Sequence, residues 1–89
     1  MYLFLGQETV VSTRDIVGVF DLDKASTSAE TKRFLATAQK RGQIVDVSPG
    51  ELPTSFVVCA RAGVLRVYLS QISVGTLKKR AEAGASSIL

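Results

Sequence analysis

Chemistry in this sequence is narrowed first by an absence: there is no histidine, and Cys59 is the single cysteine. The commonest general acid/base, the commonest metal ligand and every Ser–His or Cys–His nucleophile pair are thereby removed. Cys59 lies in an apolar stretch from Phe56 to Ala60, where a buried thiol behaves as a small hydrophobe. It has no partner for an intrachain disulfide, a pattern that fits a reducing cytoplasm. Asp21 and Asp23 sit at i, i+2 near a strand end, where aspartates more often cap turns than catalyse. No second acidic pair completes the three or four converging oxygens a metal ion needs. Neither Gly-x-Gly-x-x-Gly nor a Walker-type lysine motif is present. The sequence predicts no enzyme, no cofactor, no metal and no small-molecule substrate. It predicts a binder.

Cations are what remains for recognition. Net charge is +3, but unevenly spread. Over residues 1–23, Arg14 stands against Glu8, Asp15, Asp21 and Asp23, whereas ten of the eleven Lys and Arg lie beyond. Such polarity permits nucleic-acid binding without demanding it. Lys78-Lys79-Arg80 is the densest cluster; it reads either as a solvated helix end complementing the dipole or as a set of phosphate contacts. Lys32-Arg33 carries the same two readings. Arg14 follows Ser12-Thr13 and precedes Asp15, so it either pairs with a carboxylate or offers a guanidinium beside two hydroxyls to a phosphate backbone. Arg61 completes the candidate set. Four Phe and two Tyr form no exposed ladder for stacking single strands.

The elements that position these residues are legible in outline. Tyr2–Leu5 and Thr9–Val11 read as short strands around a Gly6-Gln7-Glu8 turn. Ile16–Phe20 is apolar on both faces, which predicts a strand buried on both sides, with Gly18 admitting a close neighbour. Thr27-Ser28-Ala29-Glu30 has capping-box spacing, with Thr27 as the cap. Thr31, Phe34, Leu35 and Ala38 then form one apolar helix face, ended by Arg41-Gly42. Gln43–Val47 alternates, Ser48–Pro53 breaks the pattern, and Phe56–Ala60 pairs with Val64–Leu69 across Arg61-Ala62-Gly63. A last helix, capped by Ser73, runs from about Val74 to Ala83. The expected order is ββ(β)αβββα, an α+β fold with a small, mostly antiparallel sheet, one main helix and a C-terminal helix. Residues 1–83 form one domain and 84–89 a flexible tail. No run approaches the length of a membrane span, and no targeting signal opens the chain. At 46% hydrophobic, so small a body has apolar surface to spare, which predicts a homo-oligomer.

Several segments resemble the small RemA/RemB-type regulators of bacterial extracellular-matrix genes, closest to the RemB branch. They are Met1–Gly6, Val11–Asp21 with its Ser-Thr-Arg-Asp-Ile-Val-Gly core, Ser55–Val58, Val67–Ser70 and Thr76–Ala81. The resemblance implies a cytoplasmic, double-stranded-DNA-binding regulator of matrix and biofilm genes. It also implies a LytTR-like fold and a ring-shaped homo-oligomer. Arg14, Lys32, Arg33, Arg61, Lys78, Lys79 and Arg80 are its candidate DNA contacts. Where the RemA branch carries a Gly-Arg-Arg loop, this chain has Gly50-Glu51-Leu52. That loop favours the second reading, a protein-interaction or assembly module that modulates a regulator without contacting DNA. Inter-subunit contacts are expected along Met1–Leu5 and Ile16–Phe20.

Overall fold

Two sets of alternating apolar residues build two sheets. The computed structural model describes residues 1–25 and 28–87. β1 (Tyr2–Gly6) and β2 (Thr9–Ser12) form an antiparallel hairpin whose turn places Gly6 and Gln7 at positive φ. A 3₁₀ turn (Thr13–Asp15) leads into β3 (Ile16–Asp21). Two helices follow, α1 (Leu22–Ala25) and α2 (Ala29–Lys40), and then β4 (Ile44–Asp46). The chain finishes with β5 (Ser55–Arg61), β6 (Val64–Ser70) and α3 (Val74–Ser87). The second sheet runs β3-β5-β6-β4; its first two pairings are antiparallel and β4 lies parallel to β6. The class is α+β.

Period-two alternation sends β5 and β6 side chains to opposite sides, and each side is covered differently. Val57 and Cys59 pack with Leu3, Leu5 and Val11 of the β1–β2 hairpin and with Leu77 of α3. Phe56, Val58 and Val67 pack under Ala38 and Leu35 of α2. The result is three layers: α2, the four-stranded sheet, and the hairpin together with α3. Leu5 and Leu77 are fully buried, and each such side chain contributes roughly 1.5–3 kcal/mol.

A buried serine joins the two sheets. Ser70 Oγ donates to the Leu5 carbonyl at 2.6 Å and accepts from the Ile72 N–H at 3.0 Å. Ser55 Oγ donates to the Ile72 carbonyl at 2.7 Å. These bonds hold β1 against β6 and fix the approach to α3, where the Thr76 N–H donates to Ser73 Oγ. Ser73 is the expected cap.

Four local expectations change. The cap of α2 is Ser28, whose hydroxyl accepts from the Thr31 N–H at 3.4 Å; Thr27 lies outside the described residues. Docking of α2 on the sheet is centred on Leu35 and Ala38, with Thr31 half-buried, so Phe34 lies at the flank of the stripe and is exposed. The helix ends as expected, with the Gly42 N–H on the Gln39 carbonyl and the Gln43 N–H on the Ala38 carbonyl around a left-handed Gly42.

β3 is not buried on both sides. It is an edge strand, and Val17 is the extra residue of a bulge between Ile16, opposite Cys59, and Gly18, opposite Val58. Val17 therefore points outward, 67% exposed, while Ile16 and Val19 both pack on the hairpin side. The close neighbour at Gly18 is the Phe20 ring, which a Cβ there would meet at 2.6 Å. That ring stacks on Phe56 with centroids 5.0 Å apart. Finally, α3 extends to Ser87, past its expected end at Ala83, and residues 88 and 89 lie outside the described ones.

Candidate functional site

The β5–β6 hairpin gathers the polar side chains that matter. Ala62 and Gly63 both adopt positive φ, 51° and 80°, the signature of a two-residue type I′ turn. This turn fixes the register Arg61↔Val64, Cys59↔Arg66 and Val57↔Tyr68. Alternation then places Cys59, Arg61, Val64, Arg66 and Tyr68 on one face. The β1–β2 hairpin stands opposite that face, and between them runs a groove of about 480 Å³. Tyr2, Val10, Val11 and Ser12 form its second wall, with Asp15 also in its lining. A smaller depression of about 270 Å³ adjoins it, sharing Tyr2, Ser12, Asp15 and Arg61 and adding Met1 and Arg14.

Arg14 and Arg61 are thus brought together. Asp15 is paired with Arg61, not Arg14: Arg61 Nη1 lies 4.0 Å from Asp15 Oδ2. At that distance, with the Arg61 side chain 82% exposed, the pair is loose and contributes well under 1 kcal/mol. The two hydroxyls beside Arg14 serve the backbone: Ser12 Oγ accepts from the Arg14 N–H and Thr13 Oγ1 donates to the Met1 carbonyl. Asp21 is a turn cap, its Oδ1 accepting from the Lys24 N–H at 3.1 Å.

The other candidates are dispersed. Lys32 and Arg33 lie exposed on α2, across the sheet from the groove. Lys78, Lys79 and Arg80 are exposed on α3, with the Arg80 guanidinium 5.8 Å from the centroid of the Phe4 ring. That is cation–π distance, so the aromatic already holds one cation of this cluster. The Gly50-Glu51-Leu52 loop is exposed, Leu52 at 87%.

Arg66 is the groove residue that selection by charge clusters missed. It is isolated in sequence among Val64, Leu65, Val67 and Tyr68, so no basic run marks it. The signal was the Gly63 turn: pairing the strands across it puts Arg66 two positions from Val64, on Arg61's face.

Cys59 is the floor of the groove and a poor nucleophile. Burial pushes its thiol pKa up, and the nearby Asp15 carboxylate adds to the shift, so the thiolate is suppressed at neutral pH. Among the described residues no group of three His, Cys, Asp or Glu side chains is arranged to hold a metal ion. No helix among them is long and apolar enough to cross a membrane.

A small α+β chain with candidate cations exposed on four elements, the 3₁₀ turn, α2, β5 and α3, presents its charged side chains for binding. Comparison with known proteins places it more closely. The family model described as RemA-like, extracellular matrix regulatory protein A-like, matches residues 3–81, and the chain belongs to that family. It is also similar to extracellular matrix regulatory protein B of Bacillus subtilis (strain 168). The two are 45% identical over 82 residues, covering 92% of this chain and 91% of that protein.

Proposed function

We propose that this protein is a cytoplasmic regulator of extracellular-matrix and biofilm genes that binds double-stranded DNA as a homo-oligomer. One observation carries the reading. All seven cationic side chains selected from the sequence are exposed, on a chain 45% identical to a protein named for matrix regulation. They are spread over the 3₁₀ turn, β5, α2 and α3, so one protomer offers few contacts to any one stretch of duplex. Assembly supplies the remainder: several weak phosphate contacts acting together raise affinity without any new chemistry. Exposed Phe4 on β1, and Val17 and Phe20 on β3, are apolar surface available for such assembly. The likeness to LytTR-type DNA-binding folds belongs to the same reading.

Mobility-shift titrations with matrix-gene promoter DNA at two salt concentrations test it. Affinity should fall steeply with salt, and replacing both Arg14 and Arg61 by Ala should flatten the salt slope by about 2 per protomer engaged. Undetectable binding at low salt would overturn direct DNA contact. A second reading, an assembly module acting on another regulator, is favoured by Glu51 and the 87% exposed Leu52 in the β4–β5 loop. A pull-down that retains a specific protein, lost on Leu52→Ser and accompanied by no DNA retention, would select it.

A further inference from the structure

The groove between the two hairpins joins two kinds of surface that duplex binding does not require together. At one place it offers the guanidinium groups of Arg61 and Arg66; beside them lie the rings of Tyr2 and Tyr68 over an apolar floor of Val11 and Cys59. Guanidinium forks match phosphate oxygens bidentately, and tyrosine rings and valines accept a planar base. Asp15, facing the same space with Ser12, supplies acceptors for sugar hydroxyls or ring N–H groups. From this juxtaposition we infer that the groove is a binding site for a free mononucleotide, a phosphate monoester attached to a planar base.

Size and charge separate this ligand from a duplex. About 480 Å³ falls within the range of small-ligand sites, and the space lies between two hairpins. A carboxylate in the lining opposes a continuous run of phosphates, yet it suits a ligand with one phosphate and several hydroxyls. Arg61 is held only loosely by Asp15, and no salt bridge engages Arg66 among the described residues. Both forks can therefore turn to a phosphate without breaking a strong internal bond. Because the site is read without DNA, it does not rest on the proposed regulation of matrix genes.

The test is a titration of the isotopically labelled full chain, without DNA, followed through its backbone amide resonances. AMP, GMP, CMP and UMP are added separately, with inorganic phosphate, adenosine and a short DNA duplex as comparison arms. The expected result is saturable, 1:1 perturbation of Cys59, Arg66 and Tyr68 by at least one nucleotide, tighter than by phosphate or adenosine alone. Arg66→Ala should weaken that nucleotide by roughly tenfold, the loss of one charge-assisted contact. Arg66→Lys should recover only part, because the ammonium keeps the charge and loses the fork. Lys78→Ala/Lys79→Ala, on α3, should leave nucleotide affinity unchanged. Three outcomes would each overturn the assignment: no nucleotide perturbs the groove, phosphate alone binds as well, or the duplex perturbs these residues while no mononucleotide does.

Discussion

Replacing Ser70 by Ala removes a single oxygen, yet it should be among the most damaging small changes this protein can suffer. Ser70 is fully buried, and its hydroxyl serves two backbone groups at once: the Leu5 carbonyl at 2.6 Å and the Ile72 N–H at 3.0 Å. Alanine leaves both without that partner, and neither gains a substitute from a methyl group. Each orphaned group costs about 1–3 kcal/mol, so the pair costs on the order of 3 kcal/mol. Domains of this size have roughly 4–13 kcal/mol in total, so the loss is a large fraction. Ser55→Ala is the internal comparison: its hydroxyl donates chiefly to the Ile72 carbonyl at 2.7 Å, while the Ser70 carbonyl at 3.5 Å keeps the Thr54 N–H as a donor, so the change should cost about half as much. Urea unfolding at fixed protein concentration measures both, since association would otherwise shift the midpoint. A Ser70→Ala loss below about 0.5 kcal/mol, or one no larger than that of Ser55→Ala, would refute the role assigned to this hydroxyl.

Three further outcomes are expected. Gly18→Ala should destabilise by about 1 kcal/mol by driving the Phe20 ring off Phe56; in a Phe20→Ala background the same change should instead become neutral or stabilising, and equal effects in both backgrounds would refute the steric account. Ala62→Asn should raise the melting temperature, gaining up to about 1 kcal/mol, because Asn tolerates the positive φ that the hairpin turn imposes on Ala62. The Cys59 thiol is raised in the folded state, first by burial and then by Asp15, so above the ordinary thiol range the folded chain holds a proton the unfolded chain has released. Stability should therefore fall as pH rises through that range, and Cys59→Ala should remove this part of the loss when urea midpoints at about pH 7 and about pH 10 are compared.

The elements were legible wherever local chemistry decides them. Gly63 and the flanking alternation marked the β5–β6 hairpin, Gly42 marked the end of α2, and Ser73 its place before α3. Misreadings arose where tertiary contacts decide. Phe34 falls at the flank of the stripe that α2 docks on the sheet, and the extra Val17 breaks the alternation that made β3 look doubly buried. The candidate site was legible only in part. Arg14 and Arg61 are 47 positions apart in sequence and share a depression because Ile16 pairs with Cys59, a contact no local pattern encodes. Arg66 carried no basic neighbour, so its membership emerged from strand pairing alone.

The bulge at Val17 has a consequence for how this chain behaves at high concentration. A straight outer strand offers evenly spaced hydrogen-bonding groups to any passing chain, and fibres grow from such templates. Val17 interrupts the spacing in β3, twisting the strand so that a second copy cannot continue the ladder along its whole length. Deleting Val17 would bring Ile16 and Gly18 into unbroken register with β5 and yield a smoother, better-paired strand. The same deletion would remove the irregularity that guards the outer edge. The expected cost is aggregation, measurable as greater turbidity of the deletion variant than of the natural sequence at the same high concentration.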